Sequence, residues 1–281
     1  MIIGDQAHST VVKALGMLGL GRDRVVRVPS DDQGRMRPDL LPDDIRTPAI
    51  VCAQAGEVNT GAFDPFETIV EWARRRQAWV HVDGAFGLWA LAEPSLSHLT
   101  AGIDGADSWA TDAHKWLNVP YDSGIALLRR AEDLRRSFAS EAGYLPPDSG
   151  FEAMHHTPMA SQRPRQIEVW AALRTLGRSG VADLVSRTCG YARDIAGELR
   201  EAGLEVLNDV VLNQVVVRAG TDEATLRLID AVQADGTCWC GPTRWRGRPA
   251  MRISVSGWAT TPGDVRASAA AIVGAARGID R

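Results

Sequence analysis

The sequence has no apolar run long enough to cross a membrane and no excess of basic residues. A membrane-spanning helix needs about 20 consecutive apolar residues, and no run approaches that length. The formal net charge is −4, so the chain lacks the basic character that attracts nucleic acid. The first ten residues show neither the basic stretch nor the apolar core of a secretory signal. We therefore predict a cytoplasmic protein that binds neither membranes nor nucleic acid.

Cysteine is scarce as well, with four residues in a chain of 281. So few cysteines in so long a chain do not form a disulfide framework. Cys238 and Cys240 form a C-x-C pair, which could supply two ligands of a metal site. Because no second ligand pair accompanies them, we favour two cysteines on a short strand and predict no metal.

The sequence shows no low-complexity tract and no repeat of fixed period. Hydrophobic residues make up 45% of the chain and charged residues 23%, which is typical of a globular protein. The length suits either one large domain or a medium domain followed by a small one.

The first half alternates short apolar runs with helical patterns. Five runs predict strands: 24–28, 49–54, 78–82, 107–111 and 124–128. Three stretches have the apolar spacing of helices: 8–19, 39–46 and 64–77. In the third of these, Asp64 is the predicted N-cap, followed by Pro65 at the first helical position. Strands that alternate with helices imply βαβ units and a mainly parallel sheet, so the fold class is α/β.

The second half has a different order of elements. It predicts two long helices, a strand pair, a helix, two strands and a final helix: 165–177, 181–202, 204–218, 222–234, 237–240, 250–256 and 262–277. This order is typical of a small α+β domain. We predict a large domain over residues 1–200 and a small C-terminal domain over residues 201–281.

Two residues that can do chemistry lie where strands of the first half end. Asp83 follows the run AWVHV, and Lys115 lies just past DSWAT. Ligands of open parallel sheets bind at the carboxyl ends of the strands. A lysine can form a Schiff base with an aldehyde, and a carboxylate can hold the proton of a pyridine nitrogen. Taken singly, Lys115 is also compatible with a surface charge, and Asp83 with a helix N-cap or a metal ligand.

The two segments that contain these residues resemble one family. HVDGAFG at 81–87 and DSWATDAHKWLNVPYDSG at 107–124 resemble the group II pyridoxal-phosphate-dependent amino acid decarboxylases. This family includes the aromatic amino acid, glutamate and histidine decarboxylases. The resemblance extends to residues 54–65, 156–180 and 251–261. It implies the aspartate-aminotransferase-like fold, fold type I, with a large domain built on a mainly parallel sheet.

The resemblance implies that pyridoxal 5′-phosphate is the cofactor, and it assigns three catalytic residues. Lys115 would hold the cofactor as a Schiff base, and Asp83 would pair with the pyridinium nitrogen. His8 matches the histidine that stacks on the pyridine ring, although a histidine at this position is by itself an ordinary first-turn helix residue.

Four further residues are implied at the cofactor. Ala85 would pack against the ring, and Thr60 lies in a segment that runs beside it. His114 would help to bind the phosphate. Asp112 stands near the phosphate, at a position where many relatives have asparagine.

The implied reaction converts a small-molecule amino acid to an amine and CO₂, carried out by a homodimer. Alternatives on the same cofactor are an aminotransferase, an aldehyde-forming decarboxylase and a sulfur lyase. A fragment without activity is another alternative. Relatives often have a tyrosine that protonates the carbanion left by loss of CO₂, in a loop that corresponds to residues 148–158. These residues contain no tyrosine. His155 and His156 are the nearest substitutes, and Tyr144 lies upstream.

The beginning of the chain departs from the family pattern. Family members carry a long segment before the position of His8, including a dimer-forming part and a phosphate-binding loop. We therefore expect an N-terminally incomplete large domain, and weak cofactor binding and little activity for the 281-residue chain.

Overall fold

A computed structural model of the chain describes residues 1–140 and 151–279. These residues form a six-stranded sheet and a separate four-stranded sheet. The predicted α/β class, with a mainly parallel sheet followed by a smaller α+β part, is confirmed. The domain boundary at residue 200 stays a prediction. No helix in the described ranges is long and apolar enough to cross a membrane.

The large sheet has the strand order β2-β1-β3-β4-β5-β6. Its strands are β1 Ile2–Gly4, β2 Val26–Val28, β3 Ile50–Gln54, β4 Trp79–Asp83, β5 Ser108–Asp112 and β6 Gly124–Leu128. All neighbouring pairs are parallel except β5 and β6. The carboxyl ends of β3, β4 and β5 therefore meet at one edge, where Gln54 pairs with Asp83 and Asp83 with Ala110.

The two faces of the large sheet are covered differently. Side chains alternate between the faces along each strand. One face packs against helix α2, Phe66–Arg75, whose buried residues recur at helical spacing: Phe66, Ile69, Val70 and Ala73. Over the other face lies helix α1, Ser9–Met17, which has one buried residue, Leu15. The second face therefore stays partly open, and its strand side chains are accessible.

The remaining elements complete the first half and join it to the second. Helix α3 spans Ala131–Phe138, and helix α4 spans Gln166–Glu201. Short 3-10 helices lie at Pro38–Leu40, Gly87–Ala92, Pro94–Thr100, Ile103–Gly105 and Ala153–His155. Helix α4 joins the two helices that the sequence predicts at 165–177 and 181–202. It breaks at Gly177, where φ is 62° and ψ is −175°, a conformation that glycine adopts without a steric penalty.

The small sheet is antiparallel throughout, with the order β7-β8-β10-β9. Its strands are β7 Glu205–Val206, β8 Gln214–Arg218, β9 Gly241–Trp245 and β10 Arg248–Ser254. Helices α5, Asp222–Asp235, and α6, Pro262–Ile279, pack with α4 on this sheet around a second core. The strand predicted at 237–240 lies at 241–245 instead.

Two further local predictions are wrong. The helix predicted over 39–46 is only the 3-10 helix Pro38–Leu40, because Pro42 cannot continue a helix hydrogen-bond ladder. Asp64 does not cap α2, which begins at Phe66 after Pro65. Instead the buried Asp64 carboxylate accepts the backbone N–H groups of Met36 at 2.6 Å and Gln54 at 2.7 Å.

The loop between β3 and α2 attaches the large sheet to the small one. Within it the buried Glu57 carboxylate accepts the backbone N–H groups of Asn59 at 2.7 Å and Thr60 at 2.8 Å. From the other side, Asn208 donates to the Thr60 carbonyl at 3.0 Å, and Thr243 donates to Asn59 Oδ1 at 2.6 Å. These bonds fix the position of the second half against the carboxyl end of β3.

Candidate functional site

A cavity of about 590 Å³ opens on the sheet face that α1 partly covers. Its floor is formed by alternate side chains of three neighbouring strands: Cys52, Gln54, Trp79, His81, Asp83, Ser108, Ala110 and Asp112. Residues of α1 form one wall, and the turn after β5 supplies Lys115. The cavity therefore lies at the carboxyl edge that the sequence indicates and extends along the strands toward their amino ends.

Lys115 presents a primary amine to this cavity. Its Nζ lies 3.1 Å from Asp112 Oδ2 and 5.9 Å from the centre of the Phe86 ring. The side chain is 39% exposed. The predicted place of Asp112 near the phosphate stays a prediction, and in the structure its carboxylate forms an ion pair with Lys115.

Asp83 is the last residue of β4 and lines the cavity. Its Oδ1 accepts the backbone N–H of Ala85 at 3.2 Å. Within residues 1–140 and 151–279 this is the one hydrogen bond that the side chain accepts. The second oxygen, Oδ2, can therefore accept a hydrogen bond from an N–H or O–H group of a ligand. The small side chain of Ala85 also lines the cavity, so a flat group can come close to the strand end.

His8 directly precedes α1 and also lines the cavity. It caps the N-terminus of α1, with Nδ1 2.7 Å from Thr10 Oγ1 and accepting the Thr10 backbone N–H at 3.4 Å. Because Nδ1 serves as an acceptor, Nε2 is the ring nitrogen available to a ligand.

Two predicted cofactor residues do not line the cavity. His114 Nδ1 lies 3.0 Å from the Ser123 carbonyl oxygen, and the ring lies 4.2 Å from the Tyr121 ring. Thr60 is 1% exposed, and its hydroxyl donates to the Gln33 carbonyl at 2.7 Å. Their predicted contacts with the phosphate and the ring stay predictions, and the structure gives both residues structural hydrogen bonds.

The candidate proton donors lie elsewhere. His155 and His156 do not line the cavity. The His156 ring stacks on Phe151 at 4.6 Å, and its Nδ1 lies 3.0 Å from the Glu152 carbonyl oxygen. Tyr144 and residues 148–150 lie outside the described residues.

The cavity also contains residues that the sequence did not single out. Trp79, His81 and Ser108 line its floor beside Asp83. Alternation along β4 could have identified two of them, since the residues two and four positions before Asp83 lie on the same face of the strand. Ser108 could be placed only by the pairing of β4 with β5, which sets it opposite His81.

The donor set fits pyridoxal phosphate at its aldehyde and its ring. The aldehyde requires a primary amine, which Lys115 supplies. The ring nitrogen requires a carboxylate, and Asp83 has an oxygen without a partner among the described residues. The ring itself requires flat or small neighbours, and His8 and Ala85 line the same cavity.

The family model of the pyridoxal-dependent decarboxylase conserved domain matches residues 1–219. The chain belongs to the pyridoxal-dependent decarboxylase family. The predicted family is confirmed, and with it pyridoxal 5′-phosphate as the cofactor of this domain.

The chain covers only part of the length of two similar family members. Mouse acidic amino acid decarboxylase GADL1 is 31% identical over 209 residues, which cover 70% of this chain and 38% of the mouse protein. Histidine decarboxylase of Drosophila melanogaster is 30% identical over 271 residues, which cover 93% of this chain and 32% of the fly protein. The chain thus spans less than half the length of these relatives.

Solved structures of family members have the same fold. Mouse CSAD in its apo form matches with a TM-score of 0.90 at 23% identity, covering 98% of this chain and 63% of the mouse chain. Oryza sativa TDC with PLP and tryptamine matches with a TM-score of 0.93 at 22% identity, covering 100% of this chain and 63% of the rice chain. The predicted fold type I is confirmed.

Proposed function

We propose that this decarboxylase-family protein is a pyridoxal-phosphate-dependent carboxy-lyase that converts an amino acid to an amine and CO₂. One observation carries the proposal. A single cavity brings together the amine of Lys115, the carboxylate of Asp83 and the imidazole of His8. These are the three residues to which the family resemblance assigns catalytic roles, and they come from three separate elements.

When bound, the cofactor supplies an electron-accepting ring that takes up the electron pair released as the carboxylate departs. Lys115 would hold the cofactor through Nζ, since its primary amine is the group that the cofactor aldehyde requires. Asp83 holds a proton on the ring nitrogen, because an ionised carboxylate is a strong acceptor. A ring held in its protonated form draws electrons more strongly, so Asp83 favours loss of CO₂.

Asp112 and His8 position the reacting groups. Asp112 holds Nζ at 3.1 Å, which keeps the flexible lysine side chain at the cavity wall before the cofactor arrives. His8 is fixed by its own contacts with Thr10, so its ring offers a surface that moves little. A preorganised wall of this kind lowers the entropic cost of orienting the substrate.

The substrate is an amino acid, and relatives of similar identity differ in which one they use. Their names specify acidic amino acids, histidine and aromatic L-amino acids. We further propose a homodimer. The first turns of α4 expose large apolar side chains every three residues at Ile167, Trp170 and Leu173, and contiguous exposed apolar surface is typical of interfaces.

The test uses the fact that the sequence contains two lysines, Lys13 and Lys115. Purified protein is mixed with pyridoxal phosphate, the visible absorbance is recorded, and the adduct is reduced with borohydride and located by peptide mass spectrometry. We expect a visible band and a pyridoxyl group on Lys115.

The variants Lys115→Ala and Lys13→Arg form a matched pair, since Lys13 is exposed on α1. The first should lose the band, and the second should keep it. A band that survives Lys115→Ala, or label on Lys13 alone, would refute the assignment of Lys115. Release of CO₂ from a panel of amino acids then tests the reaction.

A further inference from the structure

A chain of three polar side chains crosses the cavity floor beside Asp83, and the mechanism above does not use it. Trp79 Nε1 donates to Ser108 Oγ at 2.8 Å. Ser108 Oγ lies 2.8 Å from His81 Nδ1. Trp79 and His81 share a face of β4 with Asp83, and Ser108 pairs with His81 across the sheet.

The donors and acceptors of this chain favour one position for the His81 proton. An indole N–H can only donate, so Ser108 Oγ accepts from Trp79. The hydroxyl hydrogen of Ser108 then lacks a partner unless it is donated to His81 Nδ1, the one acceptor within hydrogen-bond distance among the described residues. The arrangement that gives every hydrogen a partner therefore has an unprotonated Nδ1, and a neutral His81 then carries its proton on Nε2.

The surroundings of His81 also favour the neutral ring. Burial lowers the pKa of His81, and the negative charge of Asp83 opposes this effect. The other titratable side chains lining the cavity are Cys52 on β3, His8 before α1, and Asp112 and Lys115 at the end of β5. Burial raises the pKa of the Cys52 thiol, so Cys52 stays uncharged. Asp112 is paired with Lys115.

The charge of His81 decides what Asp83 can bind. The two residues lie two positions apart on one face of β4, so their Cα atoms are about 7 Å apart. An imidazolium at His81 would be a cation within reach of the Asp83 carboxylate. It would compete for that carboxylate with the protonated ring nitrogen of a ligand. A neutral His81 leaves the charge of Asp83 uncompensated and available.

We propose that His81 is a positioning residue, kept neutral by the Trp79–Ser108 hydrogen-bond chain so that Asp83 remains free to hold the cofactor ring nitrogen. The effect of His81 on cofactor binding rests on the proposed function. The hydrogen-bond chain itself belongs to the protein without cofactor and can be measured there.

The first measurement is ¹⁵N NMR of histidine-labelled, cofactor-free protein, in which ring nitrogen shifts distinguish the two neutral tautomers and the imidazolium. The signal missing from His81→Gln identifies His81. We expect the neutral Nε2–H tautomer in the wild type, and a pKa of His81 below its ordinary value because the ring is buried. His98 is an internal control, because its Nδ1 lies 3.1 Å from the Ser95 carbonyl oxygen and should be the protonated nitrogen.

The second measurement is pyridoxal phosphate affinity against pH for wild type, Ser108→Ala and Ser108→Thr. Alanine removes the donor to Nδ1, so the pKa of His81 should rise relative to wild type, although burial still lowers it. Affinity relative to wild type should then be unchanged at pH 8 and fall several-fold as the pH is lowered to 5.5, because the imidazolium forms at a higher pH in the variant. Threonine keeps the hydroxyl and should retain the wild-type profile.

The double variant Ser108→Ala/His81→Gln cannot form the imidazolium. The ratio of its pyridoxal phosphate affinity to that of wild type should therefore be independent of pH. A pH-independent ratio in Ser108→Ala alone, or a wild-type His81 that carries its proton on Nδ1, would overturn the proposal. If the wild type binds no pyridoxal phosphate at any pH, the proposed function fails. The NMR titration of wild type and Ser108→Ala then decides by itself whether Ser108 keeps His81 neutral.

Discussion

Asp64 links three segments beneath the candidate site, and replacing it tests how that site is supported. Its two carboxylate oxygens accept the backbone N–H of Met36 at 2.6 Å and of Gln54 at 2.7 Å. Asp64 itself lies two residues before α2, and Gln54 ends β3 and lines the cavity. Replacing Asp64 with alanine removes both acceptors at once.

The size of the effect follows from burial. Asp64 is 3% exposed, so water does not replace the lost acceptors. A buried backbone N–H without a partner costs about 1–3 kcal/mol, and two of them cost about 2–6 kcal/mol. Asp64→Asn keeps one carbonyl oxygen and turns an NH₂ group toward the other amide, so we expect about half of that loss.

The pH dependence provides a second and sharper test. Burial raises the pKa of Asp64 from 3.8 to about 7, against the opposing effect of its two N–H donors. Between these values the folded protein keeps the proton and the unfolded chain does not, so the contribution of Asp64 to stability falls as pH rises from 4 to 7. The slope is at most about 1.4 kcal/mol per pH unit.

Urea unfolding of wild type and Asp64→Asn at pH 5 and pH 6 measures this slope. The free energy of unfolding of the variant is lower than that of wild type, and this difference should shrink by about 1 kcal/mol from pH 5 to pH 6. A difference in free energy of unfolding that stays constant would mean that the buried carboxylate remains ionised. This result would refute the reasoning from burial. A loss below 1 kcal/mol for Asp64→Ala would refute the reasoning from its two acceptor bonds.

Four further changes test the site and its scaffold. Asp83→Asn removes the charge from the acceptor and should weaken pyridoxal phosphate binding about 10- to 100-fold in an absorbance titration; unchanged affinity would contradict the role of Asp83. His8→Asn keeps an N-cap of α1, so thermal stability should hold while cofactor affinity falls; equal losses of both would indicate a purely structural residue. Gly87→Ala should abolish soluble expression, because its Cβ would lie 2.2 Å from the Ala55 carbonyl oxygen, and a folded variant would disprove that contact. Trp170→Asp should lower the mass found by light scattering from dimer to monomer, and a monomeric wild type would disprove the homodimer.

The sequence by itself predicted that Asp83 and Lys115 lie close together, and the resemblance of the two short segments that contain them indicated the family. HVDGAFG and DAHKW place Asp83 and Lys115 after successive strands. The carboxyl ends of neighbouring parallel strands meet at one edge, so local pattern was enough to bring the two residues together. Most strands were predicted to within a few residues for the same reason: apolar alternation and turn residues are local signals.

Only the tertiary structure decided which polar side chains act on each other. Asp64 looked like an N-cap from its neighbours, yet it bonds Met36 from a distant loop. Asp112 pairs with Lys115, and Thr60 bonds to the Gln33 carbonyl in the connection between β2 and β3. The Ser108 contact with His81 depends on the register of two strands. Burial, register and chain crossing determine such contacts, and none of these can be read from the residues on either side.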